Sequence, residues 1–226
     1  VNLLYGENPN KAVRAFTKPF HEAGIQTHML DRGLNGLRMY PVPADVRRLM
    51  YKVKHAQGVD ITRIFCGLNE VRNIIPSIHY ALEAGMIPQA TLCITFSPVH
   101  TVEYYTAIAE RLIEAGAPEI CLKDMAGVGR PEMLGRLTKA IKERHPEIII
   151  QYHGHSGPGL SMASILEVCE NGADIIDVAM EPISWGKVHP DVISVQAMLK
   201  DAGFQVPEIN MKAYMLSLIH ISEPTR

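Results

Sequence analysis

Short apolar runs alternate along the chain with amphipathic stretches. The runs at 25–30, 60–65, 90–96, 119–123, 148–153 and 173–179 read as strands. Stretches of helical period lie near 9–23, 43–57, 70–84, 99–115, 131–144 and 160–171. In the fourth of these, Val102, Tyr105, Ile108, Ala109 and Leu112 recur at three- and four-residue spacing and make one apolar face. Helices stop near glycine or asparagine and start near proline, as at Ala115-Gly116 and Arg130-Pro131. Gly24, Gly58, Gly116 and Gly172 precede strands and mark tight helix-to-strand returns. A strand–helix unit of about 27–30 residues implies parallel strands joined by helical crossovers. The fold class expected is therefore α/β, a TIM (β/α)8 barrel carrying about six βα units, with the first two strands missing. A doubly wound open sheet is the alternative, but no GxGxxG follows a strand to support a dinucleotide site.

Composition narrows the class of partner. The 226 residues are 47% hydrophobic and 20% charged, as expected for a globular domain with a sizeable core. A formal net charge of -2 and the lack of a basic stripe give no sign of a nucleic-acid partner, and none is expected. Cys66, Cys93, Cys121 and Cys169 are widely spaced within apolar runs, which favours buried thiols in a reducing cytoplasm over disulfides or a zinc knuckle. No apolar run is long enough to span a bilayer, and no signal-peptide pattern is present. Residues 216–226 resemble a translated sequencing adapter, so the domain is expected to occupy 1–215 and His220 is set aside as a ligand. With Val1 in place of an initiator methionine, the chain is expected to be an internal fragment of a longer gene.

Two runs carry the candidate chemistry: Leu122-Lys123-Asp124-Met125-Ala126-Gly127 and Tyr152-His153-Gly154-His155. Each closes an apolar strand, where a parallel barrel places its reactive groups. Strand side chains alternate faces, so His153 and His155 point the same way, about 7 Å apart along the strand. Two imidazoles so placed can hold one metal ion; they can equally form a polar strand terminus. A lysine ammonium beside a cation is repelled, so Lys123 serves as a ligand only when modified, for instance as a carbamate.

The same runs, with Thr95-Phe96-Ser97-Pro98-Val99-His100-Thr101, resemble the carboxyltransferase barrels of biotin-dependent enzymes. That group comprises oxaloacetate decarboxylase alpha subunits, pyruvate carboxylase carboxyltransferase domains and transcarboxylase large central subunits. Weaker matches are Arg32-Gly33-Leu34-Asn35-Gly36-Leu37-Arg38, Arg63-Ile64-Phe65-Cys66-Gly67-Leu68-Asn69-Glu70 and Gly172-Ala173-Asp174-Ile175-Ile176-Asp177. Order and spacing agree from about Leu3 to Gly203. The resemblance implies that carbamylated Lys123, His153 and His155 hold one divalent metal (zinc, manganese or cobalt). It makes Lys123 and Arg32 catalytic, with Arg32 binding the substrate carboxylate; a surface ion pair is the other reading of Arg32. The family's fourth protein ligand, an aspartate in an Arg-Asp-x-x-Gln run, has no counterpart here. The implied reaction moves a carboxyl group between carboxybiotin and a short 2-keto acid of the pyruvate or oxaloacetate type. Implied partners are a biotin carboxyl carrier domain or protein, membrane decarboxylase subunits and further copies of the chain.

Departures from the family pattern keep alternatives open. Asp31 stands where leucine is usual, Cys66 where an aspartate is usual, and Val178 where threonine is usual. Ser156-Gly157-Pro158-Gly159 replaces Ser-Thr-Thr-Gly. These changes imply a different keto acid or reduced activity. The alternatives are a related metal-dependent barrel lyase or aldolase acting without biotin, and a degenerate subunit that only docks a carrier. Ser97, His100, Tyr104 and Trp185 lie near strand ends without an assigned role, and Asp124 reads as structural support.

Overall fold

The computed structural model describes residues 6–222, with side chains to residue 219. Leu3, where the resemblance begins, and residues 223–226, the end of the segment expected to lie outside the domain, fall outside the described residues. The helices and strands alternate as α1 (Pro9–Glu22), β1 (His28–Arg32), α2 (Ala44–Ala56), β2 (Ile61–Phe65), α3 (Val71–Glu83), β3 (Ile87–Cys93) and α4 (Val102–Glu114). They continue as β4 (Glu119–Asp124), α5 (Pro131–Arg144), β5 (Ile149–Gly154), α6 (Ser161–Glu170), β6 (Ile175–Ile176), α7 (Val192–Asp201) and α8 (Met211–Ser222). The strands form one sheet in chain order, β1 to β6, with parallel registers at β1–β2, β2–β3 and β5–β6. This is the βα succession of a TIM barrel, and its six described strands leave the barrel open.

Local chemistry explains the boundaries. Asn8 caps α1 by accepting from the Asn10 and Lys11 amides, and Pro9 occupies the first helical position. Pro131 starts α5 in the same way. The Glu70 carboxylate accepts from Arg72 N at the start of α3, and Asp191 from Ile193 N at the start of α7. Gly24, Gly58, Gly116 and Gly172 all take positive φ, between 73° and 101°, at the returns the sequence marks. The six expected helices are present; α7 and α8 lie beyond the last stretch of predicted helical period.

The chain divides into two compact units, one running up to residue 93 with 105–121, the other made of 94–104 with 122 onward. In the first, Ile64, Ile74, Ile78, Ala90, Leu92 and Leu112 are fully buried. Arg63 Nε donates to Gln89, and Gln89 Nε2 donates to Glu119 2.8 Å away, so a buried polar row crosses β2, β3 and β4. In the second, Leu122, Leu134, Leu137, Ile150 and Val168 are fully buried where α5, α6, β4 and β5 meet. The Tyr214 hydroxyl fixes α8 by donating to Asp191 (2.6 Å) and accepting from Glu181 N (3.3 Å). Residues 216–222 continue this helix without a break at the domain end expected at residue 215. The four cysteines are free thiols, Cys93 and Cys121 buried and Cys66 and Cys169 half-buried. No described helix is long and apolar enough to cross a membrane.

Candidate functional site

In the second unit, alternation on β5 turns Gln151, His153 and the following His155 to one face. The residue between the histidines has to be glycine. A Cβ on Gly154 would fall 2.3 Å from the Tyr152 hydroxyl oxygen and 2.5 Å from Cζ, and that ring is fully buried. His155 lies one residue past β5 and is tethered by its amide, which donates to Asp124 O (3.0 Å). Gly127, in the turn after β4, sits against this segment at φ 69°, where a Cβ would approach His155 O to 2.5 Å. Asp124 holds that turn: its carboxylate, 1% exposed, accepts from Val128 N (2.9 Å) and Gly129 N (2.8 Å). Burial raises its pKa against those hydrogen bonds. The role is structural, as its place in the motif suggests.

The imidazoles are oriented from behind. His153 Nδ1 is 2.6 Å from Asp177 Oδ2, which fixes the proton on Nδ1 and turns Nε2 outward. Gln151 Nε2 donates to the other oxygen of Asp177. The Nε2 atoms of His153 and His155 then stand 3.2 Å apart. Two nitrogens bound tetrahedrally to one zinc ion would be separated by about 3.3 Å. The pair thus fits a shared metal without rearrangement. The pKa of His155 is lowered, first by burial and then by His189 and Lys123, with Asp177 opposing. A lowered pKa keeps the ring neutral, the form that ligates.

Lys123, the penultimate residue of β4, is 4% exposed, and its Nζ lies 3.3 Å from Met125 Sδ. Its charge acts on His155, so the structure brings these two motif residues within electrostatic reach. Arg32 belongs to the first unit, at the end of β1. It is half-buried, with Nη1 3.4 Å from Arg38 O and its guanidinium 5.9 Å from the Phe65 ring centre. Ser97 Oγ and His100 Nδ1 are 2.6 Å apart, and His100 stacks edge-on with Tyr104. Trp185 is 37% exposed in the loop after β6.

Sequence reasoning missed two residues. His189 brings a third imidazole: one ligating atom each from His153, His155 and His189 lie within 4.8 Å of one another. Its only local signal is a histidine before Pro190, past the last strand. Asn69, at φ 54°, pairs its amide with the Cys93 peptide, donating to Cys93 O (2.9 Å) and accepting from Cys93 N (2.8 Å). An asparagine shortly after a strand, a residue type that tolerates the left-handed region, was the available signal.

Known proteins match this chain over most of its length. It is 36% identical over 208 residues to a pyruvate carboxylase subunit of Methanocaldococcus jannaschii, covering 90% of this chain and 36% of that protein. It is 34% identical to the methylmalonyl-CoA carboxyltransferase 5S subunit of Propionibacterium freudenreichii subsp. shermanii, over 88% of this chain and 39% of that one. The chain therefore spans little more than a third of these curated relatives. Among solved structures, the carboxyl transferase domain of Rhizobium etli pyruvate carboxylase with pyruvate and biocytin superposes with a TM-score of 0.83. The identity there is 28%, over 96% of this chain and 37% of that chain. The profile of the HMGL-like family matches residues 68–212, which include Lys123 and all three histidines. The chain belongs to the HMGL-like family.

Proposed function

We propose that this chain supplies the carboxyltransferase part of a biotin-dependent enzyme. The carboxyl group moves between carboxybiotin, presented by a carrier domain or protein, and a short 2-keto acid such as pyruvate. The observation that carries this reading is the convergence of His153 and His155 Nε2 within electrostatic reach of buried Lys123, on a chain similar to an archaeal pyruvate carboxylase polypeptide. In the proposal Lys123, as a carbamate, joins the two imidazoles around one zinc, manganese or cobalt ion. When bound, the metal lowers the cost of negative charge on the substrate's enol oxygen.

The chain's own residues then have separable tasks. Carbamylation turns the Lys123 ammonium into an anionic oxygen donor and removes its repulsion of a cation. Asp177 holds the His153 proton on Nδ1, so Nε2 stays available. Asp124 fixes the turn behind Lys123 and His155. Arg32, whose fork can bind a carboxylate through two parallel hydrogen bonds, orients the keto acid. In the forward direction the methyl carbon of pyruvate loses a proton and gains the carboxyl group. The biotin nitrogen loses that carboxyl group and gains a proton.

The test uses the complete protein that carries this chain, assayed for metal content and for oxaloacetate decarboxylation with and without free biotin. One metal per chain, biotin-stimulated turnover, and loss of both in Lys123→Ala are expected. Metal-dependent turnover indifferent to biotin would replace the proposal with a lyase or aldolase. Absence of bound metal with all histidines intact would replace it with a carrier-docking subunit.

A further inference from the structure

The paired histidines of β5 leave His189 unused, yet its position is tightly built. The loop after β6 folds back onto the end of β5. Val188 O accepts from Ser156 N and Pro190 O accepts from Ala179 N, each at 2.9 Å. The backbone is therefore pinned on both sides of His189. Within the loop Trp185 N donates to His189 O (2.7 Å) and Val188 N donates to Trp185 O (3.0 Å). This closed turn places Trp185 at φ 64°, a conformation a bulky side chain adopts only under constraint.

The ring is oriented as firmly as the backbone. His189 Nδ1 lies 2.9 Å from Gly154 O. A carbonyl oxygen only accepts, so Nδ1 carries the proton and the neutral ring keeps its lone pair on Nε2. The ring stands edge-on to both neighbours, with centroids 4.3 Å from His153 and 5.0 Å from His155. One ligating atom from each of the three rings lies within 4.8 Å of the others, a cluster that one metal ion can draw together.

We infer that His189 is a third imidazole ligand of the metal held by His153 and His155, an inference that rests on the metal-site reading above. Three neutral nitrogens shift the site toward metals that favour imidazole, so zinc or cobalt is retained in preference to manganese or magnesium. The loop after β6 thereby joins the metal site, and its ordering depends on metal loading.

The experiment compares the complete protein with His189→Gln, His189→Ala and His153→Ala. Gln retains an N–H donor for Gly154 O but lacks the imidazole, which separates ligation from packing. Zinc X-ray absorption counts imidazoles, chelator competition gives affinity, and the cobalt(II) visible spectrum reports geometry; circular dichroism checks folding. The expected result is three imidazoles in the parent and two in His189→Gln, with zinc affinity lower by at least about tenfold, the loss that follows even an outer-partner deletion. Two imidazoles in the parent, with affinity and cobalt spectrum unchanged in both His189 variants, would overturn the inference while leaving the paired-histidine site intact. A parent protein that binds no metal would overturn both readings together.

Discussion

Replacing Asp31 with asparagine should stabilise the protein at neutral and alkaline pH and leave it nearly unchanged below about pH 4. Asp31 is 2% exposed on β1. Burial raises its pKa from 3.8 to about 7, outweighing hydrogen bonds to Thr62 and Tyr51 and the charge of Arg47. Tyr51 Oη lies 3.2 Å from Oδ1, and Thr62 Oγ1 bonds Oδ2. Asparagine reproduces the protonated acid here: its oxygen accepts from Tyr51 and its amide donates to Thr62. Arg47 keeps its hydrogen bonds to Gly33 O and Ser77, and its attraction for the ionised carboxylate is already outweighed by burial in the net shift.

The direction of the pH effect follows from which state releases its proton first. Below about pH 4 both folded and unfolded chains keep Asp31 protonated, and burial carries no ionisation cost. Between about pH 4 and pH 7 the unfolded chain is ionised while the folded chain holds its proton, so stability falls as pH rises. Above about pH 7 the loss is complete, at about 4 kcal/mol for a shift of some three units. Urea unfolding of wild type and Asp31→Asn across this range isolates the group from every other titration. At about 2–4 °C per kcal/mol for a chain of this size, the variant's melting temperature should lead by about 10 °C at the alkaline end. A stability difference that stays constant with pH would refute the assignment of a protonated Asp31.

Three further outcomes follow from the contacts. Asp177→Asn removes the charge that holds the His153 proton on Nδ1, and metal affinity by chelator competition should fall about 10–100-fold. Asn69→Ala loses both hydrogen bonds to the Cys93 peptide and should cost about 2–3 kcal/mol in urea unfolding; Asn69→Gly should recover about 1 kcal/mol by relieving the positive φ. Gly154→Ala drives a Cβ into the buried Tyr152 ring and should destabilise by about 1–3 kcal/mol, with reduced metal content because the same strand carries His153.

The sheet order and six of the eight described helices were legible because burial against both faces of a parallel sheet imposes apolar runs of fixed spacing. Strand ends were less legible, since side-chain bonds set them. β1 begins at His28 instead of residue 25 because Thr27, just ahead of it, is tied to Asp60 through its amide (2.6 Å) and to Gly58 through its hydroxyl (2.6 Å). β3 runs from Ile87 to Cys93, earlier than its apolar run, and its last residue is paired with Asn69. β6 shortens to two residues, and the Asp177 side chain beyond it is engaged by Gln151 and His153.

The site divides along the same line. His153 and His155 are legible because a period of two guarantees that they share a face, and Tyr152 explains the glycine between them. Lys123 stands out in the sequence because its motif closes an apolar strand, and the structure shows it buried there. His189 follows no period: its place depends on carbonyls at 188 and 190 finding amides at Ser156 and Ala179, contacts that no local pattern encodes. A ligand delivered by a pinned loop can be withdrawn without disturbing β5, whereas the strand pair cannot move independently. If His189 ligates, metal removal should therefore increase amide exchange at Trp185 and Val188 before it changes Tyr152, and equal protection with and without metal would count against the loop's part in the site.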